Sequence, residues 1–275
     1  MRGNAVRIHY RDWGGSGTTL LFAHATGFLG AQWLPLVHRI RGAGFQGRIL
    51  TYDFRGHGLS SKPDSGYEWD SFVEDTRSLL QALDLNDVVG VGHSAGATTL
   101  ARTAAKEPGR FRRLVLVDPI LFGQAGVVER DGDNTMAART RTRRLVWASR
   151  EEIFESYRSR PPYDTWTEEA LHAYVDHGTF DRPDGEVELL CPGRIEAQVY
   201  ENAAAFDPYP LLAELALPTL VVRGELSQSF VGVLVERAMA ALPAGRLVTI
   251  AGASHYVPME LPDEVTRLVL AELDA

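Results

Sequence analysis

The sequence predicts an α/β protein, with a mostly parallel β-sheet carrying helices on both faces. Three observations predict it. Continuously apolar runs of strand length alternate with stretches of helical spacing. One such run, Val88 to Val91, passes through Gly92-His93-Ser94-Ala95-Gly96 straight into a small-residue helix. Between about residues 120 and 206 the alternation stops, and it resumes afterwards.

In chain order, Val6-Arg7-Ile8-His9-Tyr10 alternates polar and apolar residues and reads as a strand near a sheet edge. Thr19 to Ala23 is apolar throughout, as a strand buried on both faces requires. The loop His24-Ala25-Thr26-Gly27-Phe28 follows, and a helix is expected from near Gln32-Trp33. Arg48 to Tyr52 is the next strand and runs into Asp53-Phe54-Arg55-Gly56-His57-Gly58-Leu59-Ser60. From Ser71 to Leu83, the residues Phe72, Thr76, Leu79, Leu80 and Leu83 share one helical face. The helix Ala95 to Glu107 is stopped by Pro108-Gly109, and the strand Arg113 to Val117 is closed by Asp118-Pro119. Within 120–206, Ser149-Arg150-Glu151-Glu152 and Thr165-Trp166-Thr167-Glu168 fit the capping box, while Pro161-Pro162 and Arg182-Pro183-Asp184-Gly185 are breakers. Beyond it come the strand Thr219 to Arg223, a helix Phe230 to Leu242 and the strand Leu247 to Ile250. A final helix starts with Pro262 in the first turn, where a missing N–H costs nothing.

The 275 residues are enough for one large domain with an insertion. A net charge of -8 argues against nucleic acid as a partner, because phosphate contacts need a basic surface. Cys191 is the lone cysteine, so no intrachain disulfide can form. That suits a reducing, cytoplasmic setting. Met1-Arg2-Gly3-Asn4 opens no apolar leader, and no run is long enough to span a bilayer, so neither secretion nor a membrane is expected. No metal-ligand spacing is evident, and Gly90-Val91-Gly92-His93-Ser94-Ala95 fails the dinucleotide fingerprint at its last position. No metal or organic cofactor is expected, and the partner is a small-molecule substrate.

Gly92 to Gly96 is a G-x-S-x-G pentapeptide, the pattern of a nucleophile elbow that pushes a serine hydroxyl out of a sheet. Side chains in place of either glycine would strike the crossing strand or helix. A chain of this length meets the pattern by chance roughly one time in ten, so its weight comes from the strand before it and the helix after it. Four local patterns occur together: His24-Ala25-Thr26, Asp53 to Ser60, Gly92 to Gly96, and Gly252-Ala253-Ser254-His255. With them the chain resembles the α/β-hydrolase superfamily, over roughly residues 5–120 and 215–273. The resemblance implies a mostly parallel eight-stranded sheet with a helical cap inserted after strand 6. It divides the chain into a core, 1–119 and 207–275, and a cap, 120–206.

A serine hydroxyl needs a base within hydrogen-bond reach, and the base needs an orienting acid. The resemblance makes Ser94 the nucleophile and His255 the base. His9, His38, His172 and His177 are taken as surface or core residues, and His24, His57 and His93 sit in the matched motifs with structural roles near the site. Most relatives carry the acid three or four positions beyond the glycine after the seventh strand. Here those positions are Ser227 and Gln228, which hold no charge. A minority place it at the end of the strand following the elbow helix, where Asp118 stands 24 residues after Ser94. Asp118 is therefore the first choice and Glu225 the second. The amides of Ala95 and Thr26 are the candidate oxyanion donors. Ala25 replaces the usual glycine, which argues for a backbone without positive φ there.

Trp33, His93, Phe122, Trp147 and Tyr157 are the candidate pocket residues. The aromatics of 120–206 otherwise form the cap's own small core, with a few lining an apolar pocket. Arg139, Arg141, Arg143 and Arg144 read as a solvated helix face, or as a lure for an anionic substrate. Cys191 reads as a small apolar residue. A serine at the elbow excludes the aspartate-nucleophile dehalogenases and epoxide hydrolases. The expected function is hydrolysis of an ester or lactone of a small, apolar or aromatic substrate. The alternatives are a carbon–carbon bond hydrolase with the same triad, and a catalytically silent ligand receptor, which the missing acid at 227 and 228 keeps in view.

Overall fold

The computed structural model describes residues 6–121, 135–203 and 206–274. Its main sheet contains β1 (Tyr10–Asp12), β2 (Thr19–Ala23), β3 (Arg48–Tyr52), β4 (Val88–His93) and β5 (Phe111–Val117). After an insertion carrying the short β6 (Val146–Trp147), β7 (Thr179–Asp181) and β8 (Val187–Leu189), the sheet gains β9 (Thr219–Gly224) and β10 (Gly245–Ile250). The order is β1-β3-β2-β4-β5-β9-β10, with β1 antiparallel to β3 and every other pair parallel.

The continuous apolar runs follow from this architecture. Successive strand residues face opposite ways, and both faces are covered. Leu20 and Phe22 pack under the helix α1 (Leu34–Gly42) and the C-terminal helix Pro262–Asp274. Leu21 and Ala23 face α2 (Trp69–Ala82), α3 (Ala95–Lys106) and the helix Gly232–Ala241. Each such fully buried Leu, Val or Phe is worth about 2 kcal/mol relative to exposure.

Two expectations need correction. The main sheet has seven strands among the described residues, not eight. Arg7 and His9 do not join its ladder; they run beside the 53–61 turn, where their amides donate to the Ser61 and Ser60 hydroxyls. The insertion is also not wholly helical. Arg182 to Gly185 turns a hairpin between β7 and β8, closed by Arg182 N–H on the Glu186 carbonyl at 2.8 Å, and β6 completes a three-stranded antiparallel sheet.

Helices Arg150–Arg158, Glu168–His177 and Gly193–Asn202 are the longest in the insertion among the described residues. Ser149 caps the first as expected, its hydroxyl accepting the Glu152 amide at 3.1 Å. The second cap lies two residues later than the sequence pattern suggests. Thr167 accepts the Ala170 amide, while Thr165 belongs to a preceding 3-10 turn and bonds Pro162 and Glu260. The insertion's core is shared with the loop after β2: Ala25, Phe28, Leu29 and Ala31 pack among Trp147, Ile153, Tyr157, Trp166 and Tyr174. No helix among the described residues is long and apolar enough to cross a membrane.

Candidate active site

The turn from β4 into α3 is tight because two glycines let it be. A Cβ on Gly92 would stand 2.5 Å from the Ala97 amide nitrogen, and one on Gly96 2.2 Å from the Ala23 carbonyl oxygen of the neighbouring strand. Ser94 sits between them at φ 54° and ψ −117°, a conformation costing about 1–3 kcal/mol for a residue with a side chain. Its amide is tied to the Val117 carbonyl at 2.9 Å and its carbonyl to the Thr98 amide at 3.2 Å. Ala95 opens α3, so its amide lies at the positive end of the helix dipole.

His255, in the turn after β10, brings Nε2 to 3.0 Å from Ser94 Oγ and Nδ1 to 2.7 Å from Asp118 Oδ1. Asp118 directly follows β5, fully buried, at φ 43°, with its amide on the Val222 carbonyl at 2.7 Å. Its Oδ2 accepts the Gly224 amide at 3.0 Å. Its Oδ1 also accepts the Ser227 hydroxyl at 2.6 Å. The Ser227 oxygen in turn accepts the amides of Ser229 and Phe230 at 3.2 and 3.3 Å, which leaves its proton for Asp118. Position 227, where most relatives were expected to carry the acid, thus supports the acid at 118. Glu225 is exposed and takes the Gly252 amide at 2.9 Å instead of the imidazole.

The loop after β2 is pinned from behind. His24 Nδ1 meets the Ala25 carbonyl at 2.7 Å, and its Nε2 accepts the Phe54 amide at 3.0 Å. Asp53 accepts the amides of Gly30 and Leu59 and bonds His9. The Asp53 to Ser60 motif is therefore a brace for this loop. The positive φ falls on Gly27, at 83°, and not on Ala25. Burial pulls His24 down to about 4 and His57 to about 3, so both are neutral.

Ser94, Ala95, Thr26 and His255 open onto a cavity of about 580 Å³. Its wall includes Phe28, Trp69, Tyr163, Tyr174, Tyr200 and Tyr256, with Arg143 and Glu196. Most of the residues assigned to this wall from sequence lie elsewhere. Trp33 packs into the core on Phe22, ring centroids 5.1 Å apart, because the apolar face of its turn is drawn to the sheet. His93 is fully buried and bonds the His255 carbonyl through Nε2 at 2.8 Å. Burial, then the nearby His255, holds its pKa well below the usual value, so it braces His255 as a neutral ring. Trp147 and Tyr157 pack edge to face in the insertion's core and border a separate hollow with Arg144 and Arg160. Phe122 lies outside the described residues.

The residues missed had uneven signals. Phe28 and Tyr256 adjoin the matched motifs, while Tyr163, Tyr174 and Tyr200 stood unsorted among the insertion's aromatics. Trp69 and Glu196 carried no signal. The basic run also divides. Arg141 pairs with Glu201, and Arg144 with Glu152 while covering the Trp147 ring at 4.0 Å. Arg143 turns inward, Nη1 at 2.7 Å from Glu196 Oε2 and Nη2 donating to the Cys191 carbonyl at 2.8 Å. Burial raises the Glu196 carboxyl against the pull of Arg143, and raises the Cys191 thiol to about 12, which leaves the thiol inert.

Among the described residues no cluster of His, Cys, Asp and Glu could hold a metal ion. The arrangement of hydroxyl, imidazole and buried carboxylate can move a proton off Ser94, beside a cavity able to take a small organic molecule.

Known proteins resemble this chain in sequence and fold. The 2-(acetamidomethylene)succinate hydrolase of Mesorhizobium japonicum is 27% identical over 261 residues, covering 95% of this chain and 90% of that one. An N-formylmaleamate deformylase of Pseudomonas putida is 36% identical over 121 residues, 44% of each chain. The crystal structure of an E-2-(acetamidomethylene)succinate hydrolase superposes with a TM-score of 0.84 at 25% identity, over 98% of this chain and 96% of the other. The family profile described as the alpha/beta hydrolase family matches residues 20–268, and with that span of the chain accounted for, the protein belongs to the alpha/beta hydrolase family.

Proposed function

We propose that this protein is a serine hydrolase that transfers an acyl group to water through an acyl-enzyme on Ser94. The observation that carries the reading is the unbroken series Ser94 Oγ, His255, Asp118, with contacts of 3.0 and 2.7 Å, at the wall of the cavity. Asp118 keeps the Nδ1 proton on His255, so Nε2 is free to take the Ser94 proton as Oγ attacks a carbonyl carbon. The amides of Thr26 and Ala95 receive the oxyanion, each worth about 3 kcal/mol of barrier. His255 returns the proton to the leaving group. It then deprotonates the water that cleaves the acyl-enzyme and regenerates the serine.

The relatives' names, a hydrolase and a deformylase, fit acyl transfer to water without singling out an ester or a lactone. The ester or lactone of an aromatic or apolar substrate suits the aromatic cavity wall. The receptor reading rested on a missing acid at 227 and 228, and Asp118 removes that ground.

A fluorophosphonate probe, with site mapping by mass spectrometry, tests the reading. The expected result is an adduct on Ser94, absent in Ser94→Ala and strongly slowed in Asp118→Asn. With an activated ester, a burst of leaving group equal to the enzyme concentration reports the acyl-enzyme. Cleavage of a β-diketone without turnover of esters would make the protein a carbon–carbon bond hydrolase. No adduct on folded protein would overturn the reading.

A further inference from the structure

We propose that the Arg143–Glu196 pair is a specificity-determining subsite that admits neutral substrates carrying a hydrogen-bond donor, a hydroxyl or amide N–H, and turns carboxylates away. The proposal rests on the serine hydrolase reading for its kinetics and on the cavity alone for its binding.

Three observations carry it. First, Arg143, the only Arg or Lys among the described lining residues, is already committed. The described lining residues also include two acids, Glu196 and Asp164. Its Nη1 lies on Glu196, its Nη2 on the Cys191 carbonyl, and its Nε is buried without a partner. A substrate carboxylate therefore meets no net positive charge there. Second, Glu196 keeps acceptor capacity. It is 6% exposed, yet its Oε2 touches Arg143 without the alignment of a hydrogen bond, and its Oε1 receives the Tyr200 hydroxyl at a long 3.3 Å. A carboxylate offers about four acceptor sites, so a donor from the substrate satisfies what the protein leaves open.

Third, the carboxylate is close to the chemistry. A Cβ on Gly27 would stand 2.5 Å from Glu196 Oε1, and Gly27 directly follows Thr26. The absence of a side chain at 27 is what lets Glu196 approach the proposed oxyanion loop. A buried ion pair adds little stability once desolvation is counted. In an otherwise aromatic cavity its effect falls on what can enter. A site built to receive a donor penalises ligands that lack one, because its own polar group is then left unpaired.

The experiment uses 4-nitrophenyl benzoates bearing para hydroxymethyl, methoxymethyl or carboxylate groups, with rates normalised to hydroxide hydrolysis. In the wild type, kcat/KM should fall in that order, by at least ~10-fold from hydroxymethyl to carboxylate. Glu196→Gln releases Arg143 and should raise the carboxylate ester relative to the hydroxymethyl ester by ~10-fold or more. The double variant Arg143→Met/Glu196→Leu removes both charges at similar volume and should flatten the series, which guards against a misfolded single variant. Calorimetric binding of 4-(hydroxymethyl)benzamide and 4-carbamoylbenzoate to Ser94→Ala needs no chemistry and should show the same preference. Loss of turnover with the binding order intact would sink the serine reading alone. Equal binding of the two amides, or a ratio unmoved by Glu196→Gln, would overturn the subsite.

Discussion

On the sheet side of the cavity, Ser94, Asp118 and His255 are each held by directed hydrogen bonds: the Val117 carbonyl to the Ser94 amide, the Val222 carbonyl and Gly224 amide to Asp118, and the His93 ring to the His255 carbonyl. On the insertion side the wall is held by ring packing. Tyr157 stacks on Tyr163 at 4.4 Å, and Phe28 stands edge-on to Tyr174 at 5.5 Å. A hydrogen bond fails when one atom moves, whereas a stack of rings tolerates small shifts because dispersion is spread over many contacts. The sheet side should therefore respond to single-atom changes in rate. The insertion side should respond to changes of charge or volume, and in selectivity.

The largest test of that contrast replaces one oxygen by nitrogen. Asp118→Asn should lower kcat by about 10⁴-fold while KM stays within a few-fold, because the imidazole loses its orienting anion. Glu225→Gln, a similar change just past the neighbouring strand β9, should leave kcat within about 2-fold, since Glu225 only supports the Gly252 amide. Steady-state kinetics on one activated ester checks both, and the reverse pattern would move the acid to Glu225.

Acid stability comes next. His24 and His57, behind the loop after β2, have pKa values lowered by burial from the ordinary 6.5 to about 4 and about 3. As pH falls through 6.5 the unfolded chain takes up their protons and the folded chain does not. This contribution is whole above pH ~6.5 and drains below it, by about 2 kcal/mol per histidine at pH 5. Urea midpoints measured from pH 7.5 to pH 5 should fall accordingly. A flat profile would mean that the folded protein accepts these protons.

Ser227→Ala should cost about 10-fold in kcat, because Asp118 loses one of its donors and the Ser229 and Phe230 amides lose their acceptor. Ser227→Thr, which keeps the hydroxyl, should restore most of it. The smallest effect belongs to the ring side: Tyr163→Phe keeps the ring that stacks on Tyr157 and should change kcat by less than about 3-fold. A loss as large as that of Ser227→Ala would show that the tyrosine hydroxyl takes part in the chemistry.

The same contrast explains what could be read from the residues alone. Strand periodicity, the two elbow glycines and the spacing from Ser94 to Asp118 are local features, and each shows in the order of residues. Asp118 was legible, ahead of Glu225, because it stands where a minority of the resembling superfamily carries the acid, 24 residues after Ser94. The inner wall was not, because whether Trp147 or Tyr163 faces the cavity depends on how the short strand and the 3-10 turn that carry them pack against the rest of the insertion. Trp33 and His93 were expected on the wall, yet Trp33 packs into the core on Phe22, and a side chain one position from Ser94 leaves the strand on the other side. Glu196 had no reason to stand out until Gly27 and Arg143 came near it in space.

Asp118 also decides how this architecture can be remodelled. It directly follows β5, which ends at Val117, and only Pro119 separates it from the insertion. Anyone exchanging the insertion for that of another protein must make the junction after Asp118, and the return junction must spare Gly224 and Ser227. Pro119 has no amide hydrogen to compete with the bonds that hold Asp118. A graft joined there keeps the bonds that hold Asp118, but it must also repack Ala25, Phe28 and Leu29, whose loop shares the insertion's core.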